Sequence, residues 1–492
     1  MMNKIIQQIK RQKLKDNHMM DWKKIMLTSL GLAMLIPLYA EVTLPAIFGS
    51  NMVLQRNREV AIWGKADAKS TVIMTASWNN QSYKTVSDKE GNWKIKVATP
   101  DAGGPYSLKI SDGQELVLEN VLIGEVWVCS GQSNMEWKIK SLGSKLRKGL
   151  NDILLKSKNP SVRLFTVKHE KSLSPKNDFN GKWEETNAVS VSNFSATGYY
   201  FGKLLHETLD VPIGLISSNW GGTRIQAWID EEGLKSFDPS ILEDKRDKKD
   251  TFPSNTSTCL FNAMINPMLG FEIQGVLWYQ GESNRREPEI YDDLMVLMLE
   301  RWRTLWGIGE FPFYYCQLAP YDYHDEIEPD LNSAYIREAQ YLASKRIPNS
   351  GMVSLLDTGE ENDIHPLNKV QAGTRLAYFA LKETYGVEGI VCRGPELEEM
   401  TIDGSVVKLT FINDHGGLTD YGKGYKLFEI AGADKKFYPA TTTYISKQKA
   451  LIISSSEVKN PVAVRYGFKD FVIGDLFNRY GIPAPSFRTD DW

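Results

Sequence analysis

The 492-residue sequence predicts an α/β protein, an open parallel sheet with helices on its faces, set between two smaller β-rich modules. Three observations predict it. Apolar strand-like runs alternate with longer helical patterns between residues 121 and 388. Residues 41–120 and 389–492 hold only short β-branched and aromatic runs cut by turn signals. A composition of 42% hydrophobic and 24% charged residues supplies ordinary globular content for several cores.

In chain order, residues 1–40 form a leader. Lys23 and Lys24 precede an apolar run too short to span a bilayer comfortably, and Ala40 offers a cleavage point. This reads as a signal peptide, so the expectation is an exported protein, periplasmic or extracellular, without stable membrane association after cleavage. A retained anchor is the alternative, and Met19-Met20 offers a second translation start. Residues 41–120 read as an antiparallel β module, with runs such as Val60-Ala61-Ile62-Trp63-Gly64 and Tyr106-Ser107-Leu108-Lys109-Ile110. In residues 121–388, strands are expected at 125–129, 213–217, 275–279, 313–317 and 352–356, and helices at 198–209, 289–306, 333–344 and 367–384. Residues 389–492 return to short strands with turns at Asp403-Gly404 and His415-Gly416-Gly417. The charged stretch at 244–250 reads as a solvated loop.

A net charge of −3, from 58 basic and 61 acidic residues, gives no positive field for nucleic acid or an anionic membrane. Cys129, Cys259, Cys316 and Cys392 match no zinc spacing. Their even count permits disulfides in an exported protein, but Cys129 and Cys316 lie in apolar runs where a buried free thiol is the commoner outcome. Aromatic residues are plentiful, with 13 Trp, 21 Tyr and 19 Phe. Trp220 and Trp228 stand in loop-like contexts that suit sugar faces, although core packing is the commoner role for such rings.

Ligands of open α/β sheets sit beyond the carboxyl ends of the strands. Here those ends are polar and glycine-rich: Ser130-Gly131-Gln132-Ser133-Asn134-Met135, Ser218-Asn219-Trp220-Gly221-Gly222-Thr223-Arg224, and Gln280-Gly281-Glu282-Ser283-Asn284. Asp357-Thr358-Gly359 follows the fifth strand, with Asn362-Asp363-Ile364-His365-Pro366 just beyond. Ser133, in a tight glycine-flanked turn, is presented as a nucleophile and needs a base. Among six histidines, His18 lies in the leader and His206 on a helical pattern, while His169, His324 and His415 lack the acid-and-proline turn that surrounds His365. His365 is therefore the expected base. Backbone amides of Ser133 and the Gly221-Gly222 pair, with the Asn284 side chain, are the expected oxyanion donors, each worth about 2.7–4 kcal/mol by analogy.

Blander readings compete at each position. Ser133 also fits a helix N-cap, the glycine pair a positive-φ turn and Asn284 an Asx-turn. Gln132, Arg224, Trp228, Gln280 and Glu282 are expected around the substrate, Gln280 and Glu282 as supports behind it. Arg224 suits a sugar carboxylate through its bidentate fork, with a structural salt bridge and a core position the equal alternatives for Arg224 and Trp228. Glu282 has no evident partner for a glycosidase carboxylate pair.

These blocks resemble the four signature blocks of the SGNH hydrolases, specifically the sialate O-acetylesterase-like carbohydrate esterases. The run Leu44-Pro45-Ala46-Ile47-Phe48-Gly49-Ser50-Asn51-Met52-Val53-Leu54-Gln55 is similar to the opening β module of that family. The resemblance covers most of the chain after residue 40, and four blocks in family order are a specific signal. It implies an SGNH-type (flavodoxin-like) three-layer α/β/α domain over 121–388, removal of O-acetyl groups from sugars, and no metal or organic cofactor. It assigns Ser133 as nucleophile, Gly221 or Gly222 with Asn284 and the Ser133 amide as oxyanion donors, and His365 as base. Many SGNH enzymes carry an Asp three residues before the His, where this sequence has Asn362. Asp363, Asp357, or a Ser-His dyad helped by a backbone carbonyl are the candidates for that place. O-acetylated sialic acid is the family substrate, acetylated xylan or another hemicellulose would suit the same site, and a non-catalytic glycan-binding protein is the reading from another class.

Overall fold

The computed structural model describes residues 42–141, 149–243, 253–323 and 332–492. The expected leader at 1–40, His324 and the charged run at 244–250 lie outside the described residues.

Short β-branched runs become β1 (Val53–Gln55), β2 (Glu59–Lys65), β3 (Thr71–Ala76), β4 (Gln81–Val86), β5 (Asn92–Ala98) and β6 (Gly103–Ser111). In β5 the alternation is complete, Trp93, Ile95 and Val97 being buried and their neighbours exposed, as a strand with one wet face requires. β2 pairs antiparallel with β5, and β3 with β4 and β6. The central sheet comprises β7 (Glu115–Gly131), β8 (Asn159–Thr166), β9 (Trp183–Thr186), β10 (Ile213–Asn219), β11 (Gly275–Tyr279), β12 (Phe313–Cys316) and β13 (Ser350–Val353). Its order is β13-β12-β11-β7-β10-β8-β9, parallel throughout except for β9 at the edge. The 17-residue β7 joins the two regions. Its first half pairs antiparallel with β6 and its second half runs parallel between β10 and β11. The expected boundary at residue 120 thus falls inside a continuous strand.

Five parallel strands were expected from the apolar runs, and the structure adds β8. Its sequence, Asn-Pro-Ser-Val-Arg-Leu-Phe-Thr, hides it. Pro160 breaks the run, and Arg163 is 1% exposed yet polar. Its guanidinium is satisfied by the Pro160 carbonyl, Asn51 and Asn120, which removes the penalty for burying it.

The helices that bear on the site are α1 (Ser133–Glu136), α2 (Ala196–Leu209), α3 (Pro288–Trp306), α4 (Ala334–Arg346) and α5 (Lys369–Phe379). α3 begins on Pro288 and ends at Gly307, with φ 70°, the asymmetry helix ends favour. Two indoles on opposite faces of the sheet fix where the helices lie. Trp127 of β7 packs edge-on to Phe201 of α2 and stacks on Tyr314, which touches Phe379 of α5. Trp278 of β11 is level with Ser130, three residues from Trp127 and therefore on the other face, and it packs on Trp302 of α3.

After α5 the chain forms two four-stranded antiparallel sheets. Their shared core gathers Val407, Leu409, Phe428, Ile430 and Val464 around Leu356, which follows β13. All four cysteines are buried free thiols, so the disulfide option is not taken. Burial pushes the Cys129 and Cys316 thiols far up. Among the described residues no helix is long and apolar enough to cross a membrane, and no group of three or more His, Cys, Asp or Glu side chains is gathered as a metal site.

Candidate active site

Strand β7 ends at Gly131, whose φ of 132° turns the chain sharply. A Cβ there would lie 2.2 Å from the Tyr279 carbonyl oxygen, so only glycine fits. Gln132 caps α1, and Ser133 takes its first position, partly exposed. The Ser133 Oγ lies 2.8 Å from Nε2 of His365, 232 residues away in sequence. A serine and an imidazole at that distance can pass a proton from Oγ to Nε2 when the ring carries its own hydrogen on Nδ1.

The loop bearing His365 is held on both sides. Asn134, next to Ser133, donates to the Ile364 carbonyl at 3.1 Å, and the Lys369 ammonium donates to the Pro366 carbonyl at 2.6 Å. Lys369 also donates to Asn134 Oδ1 at 2.6 Å, and Asn134 donates to Glu282 Oε1 at 2.5 Å. Lys369 and Asn134 are each 1% exposed. Burial raises the Glu282 carboxyl above the usual range despite opposing help from Asn134 and Lys369. Trp137 stacks on the His365 ring, 4.5 Å between centroids at 24°. Asp363 Oδ1 accepts the His365 backbone N–H at 2.9 Å.

The loop after β10 lies against α1. A Cβ on Gly221 would sit 3.1 Å from the Ser133 Cβ. Thr223 Oγ1 donates to the Trp220 carbonyl and accepts from Trp228 Nε1 at 3.1 Å, tying the loop to the core. Gly222 is exposed, with φ 72°. Among the described residues nothing accepts its N–H or that of Ser133, so both donors remain available for an oxyanion.

A model of the family described as carbohydrate esterase, sialic acid-specific acetylesterase matches residues 123–382. That span includes every residue just described at the site. The chain belongs to this family of carbohydrate esterases. It is a serine carboxylic-ester hydrolase. Its fold is similar to that of a carbohydrate acetylesterase from Xanthomonas citri, with TM-score 0.83 and 32% identity over 92% of this chain and 100% of that one. Sialate O-acetylesterase of Mus musculus is 27% identical, covering 85% of this chain and 87% of the relative. The Homo sapiens sialate O-acetylesterase is 28% identical, covering 85% and 86%.

Within the esterase, several expected residues have other work. Asn284 was expected to aim its amide at an oxyanion. Its Oδ1 instead accepts the Ile225 backbone N–H, and its Nδ2 donates to Gln226 at 2.9 Å and Glu287 at 3.2 Å. A backbone donor on one side and a carboxylate on the other fix that orientation. The Gly221 N–H is likewise spent, on Glu136 Oε2 at 2.7 Å. Asp357 binds Arg375 through both oxygens at 2.7 Å and is not the acid beside His365. Trp228 and Gln280 are 0% exposed and Gln132 is 2%, so all three are packed inside the protein behind the Ser133 turn. Gln280 donates to Gln132, Thr223 and Asn284, knitting three strand ends together. Arg224 pairs with Glu287, whose carboxyl is held below the usual range, the Arg224 and Gln226 hydrogen bonds outweighing the cost of burial.

Asn134, Glu136, Trp137, His169, Lys369 and Glu287 went unrecognised in the sequence. His169 lacks the acid-and-proline turn that surrounds His365, yet its Nε2 lies 3.3 Å from Glu136 Oε1, and its ring stacks on Trp220 at 4.2 Å and 8°. The adjacency of Asn134, Glu136 and Trp137 to Ser133 was the one available signal.

Proposed function

We propose that the protein is an exported carbohydrate O-acetylesterase that removes acetyl groups from sugars, with O-acetylated sialic acid as the first substrate to try. The carrying observation is the 2.8 Å contact between Ser133 Oγ and His365 Nε2 at the end of the parallel sheet. His365 takes the Ser133 proton as Oγ attacks the acetyl carbonyl. The amides of Ser133 and Gly222 hold the oxyanion, the protonated imidazole passes its proton to the sugar oxygen as it leaves, and water releases acetate from the acetyl-enzyme. Asp363 orients the His365 loop through the backbone N–H. No step requires a metal, so activity is expected to survive EDTA, and rate is expected to fall as acid protonates His365.

An SGNH-type (flavodoxin-like) three-layer α/β/α arrangement of residues 121–388 accords with the parallel strand order and with helices on opposite faces of the sheet. Acetylated xylan remains the second substrate reading, because the acyl-transfer groups meet the acetyl and not the sugar. The test is acetate release by residues 41–492, wild type and Ser133→Ala, on O-acetylated sialic acid and acetylated xylan side by side. Release by wild type alone supports the mechanism and ranks the substrates. Equal release by both proteins, or by neither, overturns it.

A further inference from the structure

Glu136 stands three residues after Ser133 on the same single-turn helix, with both carboxylate oxygens engaged. Oε2 accepts the Gly221 N–H at 2.7 Å, and Oε1 lies 3.3 Å from His169 Nε2. The His169 ring in turn stacks on Trp220, the residue before Gly221. The contacts therefore close a ring from Glu136 through Gly221 and Trp220 to His169 and back. A Cβ on Gly221 would come within 3.2 Å of Glu136 Oε2 and 3.1 Å of the Ser133 Cβ, so the loop peptide rests directly on the helix that carries the serine. The Glu136 side chain is 18% exposed. Its carboxyl lies below the usual range: burial opposes ionisation, but the hydrogen bonds from His169 and Gly221 outweigh it.

We propose that Glu136 is the positioning residue of the oxyanion hole. By accepting the Gly221 N–H it fixes the Trp220–Gly221 peptide, one before the peptide that carries the Gly222 N–H, which has no acceptor among the described residues. A carboxylate accepting a backbone N–H makes a stronger bond than a neutral acceptor does. Without it the Gly221 N–H would compete for the same oxygen, and the Gly222 donor would lose its register with Ser133. The inference rests on the acyl-enzyme reading above.

The test compares wild type, Glu136→Ala and Glu136→Gln as full chains on p-nitrophenyl acetate and on an acetylated sugar. Removing an oxyanion donor outright costs about 10²–10³ in kcat. Glu136→Ala, which loosens one, is expected to lower kcat about 10–100-fold on both substrates with KM nearly unchanged. Glu136→Gln keeps an oxygen for the Gly221 N–H and is expected to stay within about threefold of wild type. A boronic acid, which forms a tetrahedral adduct on the serine, should weaken in parallel with kcat. If Glu136→Ala does not fold, Glu136→Asp, one methylene too short to reach Gly221, is read the same way. Unchanged kcat, a loss confined to KM, or equal loss in the Ala and Gln variants would overturn the proposal. Inactivity of wild type on both esters would instead overturn the esterase mechanism.

Discussion

Trp220 and Trp228 are eight residues apart in one loop and have opposite fates. Trp228 is fully buried and edge-on to Trp278, whereas Trp220 is half-buried, next in sequence to Gly221, and stacked on the exposed His169. Of the two, only Trp220 is open to solvent, so under the proposed function it is the ring to test against a sugar. Trp220→Ala is therefore expected to raise KM for an acetylated sugar several-fold while sparing p-nitrophenyl acetate. Trp228→Ala should instead cost about 3–5 kcal/mol of stability, as truncating a fully buried aromatic does, read by urea unfolding. Glu136 adds a pH signature. Its folded carboxyl lies below the ordinary value of 4.5, so its stabilisation is fully present above that value and is lost as pH falls through the folded pKa. The stability difference between wild type and Glu136→Gln should be largest near neutrality and shrink below pH 4.5, measured by unfolding at both ends. At this scale the sequence disclosed the two residues that meet at 2.8 Å, Ser133 and His365, but not their supports. Ser133 and His365 announce themselves through local turn chemistry, whereas the pairing of Lys369 with Asn134 spans 235 residues and leaves no local pattern.

Elements meet the chemistry at their ends. α1 and α5 hold the His365 loop between them, because Asn134 of α1 and Lys369 of α5 bond the carbonyls on either side of it. The Lys369 ammonium is buried with its charge offset through Asn134 by Glu282, whose Oε2 has no hydrogen-bond partner among the described residues. Removing one member of such a group strands the other's charge. Lys369→Met is expected to lower kcat and stability together, and adding Glu282→Gln should recover part of the stability, giving a coupling of about 0.5–3 kcal/mol in a double-mutant cycle. Strict additivity would dismiss the coupling. Strands with continuous apolar runs, such as β10 and β11, were legible because both faces are covered by protein. β8 was not, because a proline and a buried arginine imitate a loop until their partners on other elements are known.

The described residues from Val42 onward are braced across the expected boundaries. β7 passes without interruption from the first β region into the central sheet. At the other end, Arg337 of α4 is 0% exposed and donates to the carbonyls of Gly467, Lys469 and Asp470 and to Ser486 Oγ, all in the last β region. Burial pulls its guanidinium down to about 10, with Asp470 opposing. Leu356 is packed in the C-terminal core, and its carbonyl accepts the Gly474 N–H at 2.9 Å. The loop carrying His365 starts directly after Leu356 and Asp357, so the C-terminal region supports the chain segment that carries His365. Cutting at residue 388 would leave Arg337 facing water where it had four acceptors and would expose Leu356. A 41–388 fragment is therefore expected to be poorly soluble or to lose near-ultraviolet dichroism, and to release no acetate from p-nitrophenyl acetate. Arg337→Met in the full chain isolates the bracing from the truncation. Leaving those buried carbonyls without their donor costs about 1–3 kcal/mol, and the loss should appear in unfolding midpoints before it appears in kcat. A 41–388 fragment that folds cooperatively and keeps wild-type kcat would show that the last β region does not support the His365 loop.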